Sequence, residues 1–392
     1  MSVRIAHLTL QPIENDARVA RSRDALVEAG YDCPVIGPGA GFDLPLMTFK
    51  RKSELALAYG PSARMGAVAA RAAFFSFAHQ RQALAALLAS RPDAIHAHDW
   101  DALVIAERAA RLLNVAYAYD AHEFAAEMHA ERVLWRLTVS PLIRILERRA
   151  IAGATLVFAV SGSIGEHLRD SASPRPAPIT LRNMPDVEPA TGVLRNAAKD
   201  RVLLHYHGIL ARGRGIEAAI EAIDRLPPVF QLRLTGPWRQ PGFQKEITQR
   251  LSARTDGRII VEPPLPHGRL VAHASEADIG LCLLESATVH DRGALPNKIF
   301  EYLNAGLALI ASGSTEVAKI LATHGCGALL ARGDASELAA LLQSWTPEQV
   351  RTMRLASLRA AKELSWKREK LKLVTAWDGV LRHGKRPAPH RN

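Results

Sequence analysis

Cysteine is scarce: Cys33, Cys282 and Cys326 are the only three in 392 residues, far apart and in apolar surroundings. They form neither close pairs nor a CxxC, which excludes a disulfide scaffold and fits reduced thiols in the cytosol. No apolar run is long enough to span a bilayer. The chain opens on the strand-like Val3 to Thr9 rather than on a charged start followed by an apolar core, so no signal peptide is expected. There is no short-period repeat, and no zinc-finger or RNP signature of nucleic-acid binding. What is there is length and 48% hydrophobic residues. That suffices for two or three domains of a soluble globular protein, each with its own core.

The charge is lopsided. Net charge is +11, with 23 Lys+Arg against 21 Asp+Glu in residues 1–200 and 27 against 18 in residues 201–392. An excess of +9 in the second half suits an anionic ligand or an anionic membrane face, and the basic residues are too scattered to read as a nucleic-acid footprint.

Short β-branched or apolar runs alternate with helical patterns along most of the chain, the signature of parallel sheets covered by helices. First-half strands are expected at Val3 to Thr9, Cys33 to Ile36, Ala94 to Ala97, Val115 to Tyr119, Leu156 to Val160 and Ile179 to Leu181. Helices are expected at Ala17 to Ala29, Met65 to Leu88, Ala102 to Leu112 and Val133 to Ala152. A proline-rich break follows, and a second series of strands runs from Val202 to Leu330. The expected class is α/β, with two doubly wound domains at 1–186 and 198–365, a last amphipathic helix at 366–382 and a disordered tail at 383–392. Open parallel sheets bind ligands beyond the carboxyl ends of their strands, so two such domains are expected to face a central cleft.

One helix makes a sharper demand. In "ALPNKIFEYLNAGLALIAS" Pro296 suits the first helical position, Gly306 closes the helix, and Lys298 falls in the first turn. A helix start is its positive end, so a cation there is disfavoured unless something negative docks on it, and a phosphate is the natural candidate. Glu301 follows Asn297 by four residues on the same face.

That segment, together with "NDARVARSRDALVEAGYDCPVIG", "PDAIHAHDWDAL", "AYDAHE", "GATLVFAVSGSI", "LRNMPD", "YHGILARGRGIEAAIEAI" and "LRLTGP", resembles in order and spacing the group 1 (GT4-type) glycosyltransferases of the GT-B fold. The resemblance covers almost the whole chain. It implies two Rossmann-like domains, a nucleotide-diphosphate sugar as donor substrate with no separate cofactor, an acceptor hydroxyl, and transfer with retention and without a metal. It also implies a final helix crossing back to the first domain and a cytoplasmic, bacterial-type enzyme in cell-surface glycan or natural-product glycosylation.

Carried over by position, the resemblance assigns Glu301 to the nucleotide ribose. Arg214, with Arg212, Gly208, Asn297 and Lys298, goes to the diphosphate side. His122 and the neighbouring Glu123 fall near the reacting sugar, and Asn15, Asp16, Arg18 and His98 on the acceptor side. The chemistry suits these residue types. A departing diphosphate gathers charge that fixed cations stabilise, and a neutral imidazole can border an oxocarbenium-like state without repelling it. Three positions depart from the family pattern: Gly293 stands where a carboxylate is usual, Ile209 where an arginine is, and "QPIENDARVAR" replaces a glycine-rich loop. They imply a different sugar or a weakened enzyme, and a non-catalytic nucleotide-binding subunit is one alternative.

Another alternative is a metal-dependent hydrolase built on His96, His98, Asp99 and His122. Last, "RMGAVAARAAFFSFAHQRQALAALLAS" mixes Phe74, Phe75 and Phe77 with Arg64, Arg71 and Arg81. Such a pattern makes either a core helix or a peripheral contact with an anionic membrane, which would put the protein at the inner membrane face.

Overall fold

The computed structural model describes residues 2–12, 16–38, 62, 65–190, 201–285 and 292–382. Asn15, Arg64 and the tail at 383–392 lie outside them. The chain divides into two compact units, one of Met1–Asn183 with Lys367–Asn392 and the other of Met184–Trp366.

The first unit is a six-stranded parallel sheet of β1 (Ile5–Leu8), β2 (Val35–Ile36), β3 (Ala94–His98), β4 (Ala116–Ala121), β5 (Leu156–Ala159) and β6 (Ile179–Thr180), in the order β2-β1-β3-β4-β5-β6. The second unit has β7 (Val202–His207), β8 (Phe230–Thr235), β9 (Ile259–Glu262), β10 (Ile279–Leu283), β11 (Ala308–Ser312) and β12 (Gly327–Leu330), in the order β12-β11-β10-β7-β8-β9. Every pairing is parallel, as between β3 and β4, where His96 lies beside Ala118 and His98 beside Asp120. The central strands β3, β4, β10 and β11 are buried throughout, which explains their near-continuous apolar runs. Each sheet reverses its strand order beside its first strand, between β1 and β3 and between β7 and β10. At such switch points the loops diverge and leave a crevice.

Two local features shape those crevices. A Cβ on Gly236, after β8, would stand 1.9 Å from the carbonyl oxygen of Gly208, after β7, so two backbones meet where no side chain fits. Gly280 in β10 lies under the ring of Tyr302, whose Cδ2 would be 2.6 Å from an added Cβ.

The segment expected as one helix from Met65 to Leu88 is two, Ala67–Phe75 and Ala78–Ala89. Phe77 is extended (φ −83°, ψ 140°), the Ser76 hydroxyl donates to the Ala73 carbonyl at 2.7 Å, and Arg81 caps the freed carbonyls of Phe75 and Ser76. Ala70, Phe74, Ala83 and Leu87 point into the core, so the segment is a core element on one side. The Trp366–Leu381 helix belongs to the first unit. Its Leu373 and Trp377 are fully buried, Glu369 accepts from the Arg182 N–H at 3.0 Å, and Asp378 accepts from Tyr31 Oη at 2.5 Å.

Candidate active site

In the second unit the Asn297–Ala305 helix starts beside the β10 end of the switch point. Pro296 is its cap (φ −64°, ψ 137°) rather than its first helical residue, and Gly306 ends it in the left-handed region at φ 68°. Lys298 through Ala305 are all buried, and among them Lys298, Glu301 and Asn304, spaced by three, form one polar stripe on an otherwise apolar cylinder. Asn297 is exposed.

Lys298 is 8% exposed, with its Nζ 3.7 Å from the centre of the Tyr206 ring. A Cβ on Gly208 would come within 3.5 Å of the same Nζ, which sets the ammonium against the end of β7. Among the described residues it has no carboxylate within ion-pair distance. Glu301 does not bridge to it: the carboxylate accepts from His207 Nε2 at 2.6 Å and lies 3.9 Å from His267 Nδ1.

Behind Glu301 stands a chain with one consistent proton arrangement. Arg233 Nε donates to His205 Nδ1 at 3.2 Å, so His205 carries its hydrogen on Nε2 and donates to His207 Nδ1, also at 3.2 Å. His207 then holds its hydrogen on Nε2, which points at Glu301. Burial lowers the pKa of both histidines and keeps them neutral. Burial alone would raise Glu301, but the hydrogen bond from His207 and the nearby Lys298 charge outweigh it and hold the carboxyl below its ordinary value. The sequence reading missed this chain. Its signal was "LLHYH", two polar residues alternating at the end of a buried strand.

Arg214 is half-buried and, among the described residues, without a carboxylate partner. Arg214 and Lys298 both lie close enough to Cys282 on β10 to favour its thiolate, although burial dominates and raises that thiol. Arg212 departs from expectation. It is exposed, paired with Glu217 and Glu246, and lies over Phe243 at 4.9 Å, so acidic side chains already neutralise it. Glu285 has its Oε2 3.5 Å from where a Gly213 Cβ would be, which brings a carboxylate to the Arg212–Arg214 turn.

In the first unit the switch point is lined with histidines. His7, His96 and His98 stack at 4.7 to 5.3 Å, are buried, and are kept from protonating chiefly by that burial. His122, following β4, differs. Burial opposes its charge, yet Asp99 at 3.4 Å and Asp120 at 3.4 Å raise its pKa to about 9. The neutral imidazole expected there is therefore an imidazolium at neutral pH. Glu123 beside it is half-buried.

Two acceptor-side expectations change. Arg18 is 3% exposed and fully engaged: Nε and Nη2 bind both oxygens of Asp120 at 2.9 and 2.5 Å, and Nη1 donates to the Leu181 carbonyl at 2.8 Å. His98 is 1% exposed, between His7 and His122. Both are interior groups. Asp16 caps the Ala17–Glu28 helix by accepting from the Arg18 and Val19 N–H groups.

His96, His98 and Asp120 bring ligand atoms within 4.8 Å of one another, close enough for a metal ion. The donor set fits poorly. Both Asp120 oxygens already hold the Arg18 guanidinium, which with His122 and His96 keeps that carboxyl well below the usual range against a burial effect that would raise it. Asp99, expected among the ligands, pairs with His122 instead.

Two parallel, doubly wound units with cations and a carboxylate at the switch point of the second define a GT-B protein. The chain belongs to the group 1 glycosyltransferases: residues 16–183 match the model described as "Glycosyl transferase 4-like domain" and residues 193–363 that described as "Glycosyl transferases group 1". It is a glycosyltransferase. No curated protein sequence matches the chain. Among solved structures it resembles sucrose-phosphate synthase of Thermosynechococcus elongatus, with TM-score 0.75, 16% identity, and 97% of this chain and 100% of that one covered. It also resembles Anabaena HepE in complex with UDP-glucose, with TM-score 0.67, 14% identity and coverage of 96% and 100%. A third likeness is an E. coli trehalose-6-phosphate structure bound with UDP-2-fluoro glucose, with TM-score 0.68, 14% identity and coverage of 96% and 99%. At these identities the likeness establishes the fold. Among the described residues no helix is long and apolar enough to cross a membrane.

Proposed function

We propose that the protein moves a sugar from a nucleoside-diphosphate sugar to an acceptor hydroxyl, with retention and without a metal. The second unit holds the donor, and the first unit receives a sugar, lipid-linked or small-molecule acceptor. The observation that carries this reading is Lys298, a buried cation at a helix start, resting on Tyr206 with no carboxylate partner among the described residues. A buried charge is costly unless compensated, and a diphosphate supplies the compensation together with helix N–H donors.

Arg214 adds a forked donor for phosphate oxygens, whose negative charge grows as the glycosidic bond breaks. Glu301, oriented through Oε2 by His207, keeps Oε1 for ribose hydroxyl groups. His122 as imidazolium, held between Asp99 and Asp120, contributes positive charge near the sugar or its phosphate and does not serve as a base. Two of the solved structures named above carry UDP-glucose and UDP-2-fluoro glucose, which makes UDP-sugars the first donors to try.

The test is transfer and UDP calorimetry with Glu301→Ala and Arg214→Ala. Each variant is expected to retain the fold while losing about 100-fold or more in transfer rate, the scale of removing one preorganised donor from a transition state. Unchanged kinetics in both variants would remove the site assignment. Activity that survives exhaustive chelation supports the metal-free mechanism, and activity lost to chelator and restored by a divalent ion overturns it.

A further inference from the structure

On the first unit the helices Ala67–Phe75 and Ala78–Ala89 form a groove of about 520 Å³. Its floor is apolar: Phe75, Leu84 and Leu88 are half-buried, and Val68 is 80% exposed. The charged residues that line it are all basic: Arg71, Arg81, Arg108 and Arg149.

These arginines are not equivalent. Arg71 is neutralised by Glu107 at 2.5 Å, and Arg81 donates to the helix-end carbonyls of Phe75 and Ser76. Arg108 and Arg149 are exposed and, among the described residues, have no carboxylate partner. The Arg108 guanidinium lies 5.4 Å from the Phe75 ring centre, which holds one cation where the apolar floor meets the rim.

We propose that this groove binds an anionic phospholipid of a membrane surface, with an acyl chain along Val68, Phe75, Leu84 and Leu88 and the phosphate on Arg108 and Arg149. Charge complementarity selects the occupant. A free phosphate or nucleotide would satisfy the arginines but leave the apolar floor in water, and a neutral apolar segment would cover the floor but leave two cations uncompensated. A phospholipid offers both parts at the spacing of a rim and its floor, and guanidinium forks match phosphate oxygens. The proposal needs neither donor nor acceptor, so it stands or falls apart from the transfer reaction.

The test is flotation of the full chain with phosphatidylcholine vesicles, with and without phosphatidylglycerol, at low and high salt. Binding is expected only with phosphatidylglycerol, weakened by salt. The double variant Arg108→Glu/Arg149→Glu is expected to lower partitioning at least tenfold, since each basic residue near an anionic surface contributes about a factor of five. Ala85→Glu, which places a carboxylate among the groove's lining residues, is expected to abolish binding. Gln249→Glu, with the same charge change on an exposed helix of the other unit, is expected to leave it intact. Circular dichroism checks that each variant is folded. Failure of the unaltered chain to float with phosphatidylglycerol overturns the proposal. Equal loss in Ala85→Glu and Gln249→Glu also overturns it, in favour of bulk charge. Self-association abolished by the arginine pair, without vesicle binding, overturns it in favour of a second copy of the chain.

Discussion

At the scale of residues, two carboxylate–histidine pairs, one in each unit, divide their charge in opposite ways. Glu301 stays ionised despite burial because His207 donates to it, and His207 keeps that tautomer because His205 and Arg233 fix its other nitrogen. His207→Phe removes the donor and leaves the carboxylate to burial, so its pKa rises. A depressed carboxyl pKa contributes stability and ligand binding above the unfolded value and loses them as pH falls through the folded one. The acidic limb of UDP binding is therefore expected to move to higher pH in His207→Phe, read from calorimetry across pH; an unmoved limb would detach Glu301 from the nucleotide. His122 has the opposite sign. Its pKa is raised to about 9, so its contribution is complete below the ordinary histidine value near 6.5 and is lost as pH rises through 9. The stability gap between the unaltered protein and His122→Asn, measured by denaturant unfolding, is expected to be wide at neutral pH and to close in alkali. The helix that carries Lys298 and Glu301 was legible because proline and glycine punctuate it. His207 was not, because its partner is 94 residues away and only the fold brings them together.

At the scale of elements, most strands were legible and the breaks within helices were not. The strands beyond residue 200 show because buried parallel strands are runs of β-branched and apolar residues between turn signals. The division at Ser76–Phe77 did not show, since neither proline nor glycine marks it; a hydroxyl, an arginine and the docking of Phe74 decide it together. The Trp366–Leu381 helix reads from sequence as amphipathic, and the resemblance sends it to the first domain, but the side chains it meets there are set by the fold. Trp377 is buried and donates from Nε1 to His96 Nδ1 at 3.1 Å, which ties the chain's end to the histidine stack under β1 and β3. Trp377→Ala should cost about 3–5 kcal/mol by denaturant unfolding, as large-to-small core changes do. Trp377→Phe keeps most of the packing and loses the indole N–H, so a loss nearer 1 kcal/mol is expected. Equal losses in the two variants would mean that the hydrogen bond, not the packing, holds the helix.

At the scale of the whole molecule, family and fold were legible because their evidence is the order of many weak motifs along one chain, and no single substitution erases an order. Individual ligand contacts were less legible. Arg18 and His98 stand among the same motifs, yet the fold places both in the interior. The division of labour between the units can be tested without knowing the acceptor. A ligand that binds only the native state stabilises what it touches, by about 2.7 kcal/mol at a hundredfold excess over Kd. Hydrogen exchange should then slow by about 100-fold in the segments it orders. With UDP alone, protection is expected across residues 206–216 and 297–303, where Tyr206, Gly208, Arg214, Lys298 and Glu301 lie, and not in β1 to β6. If His122 has the sugar-side role proposed above, the UDP-sugar that is the true donor extends protection to residues 120–123. Protection by UDP confined to the first unit would reverse the assignment of donor and acceptor units. Equal patterns for UDP and UDP-sugar would take His122 out of the sugar's reach and leave the second unit's cations as the whole of the donor site.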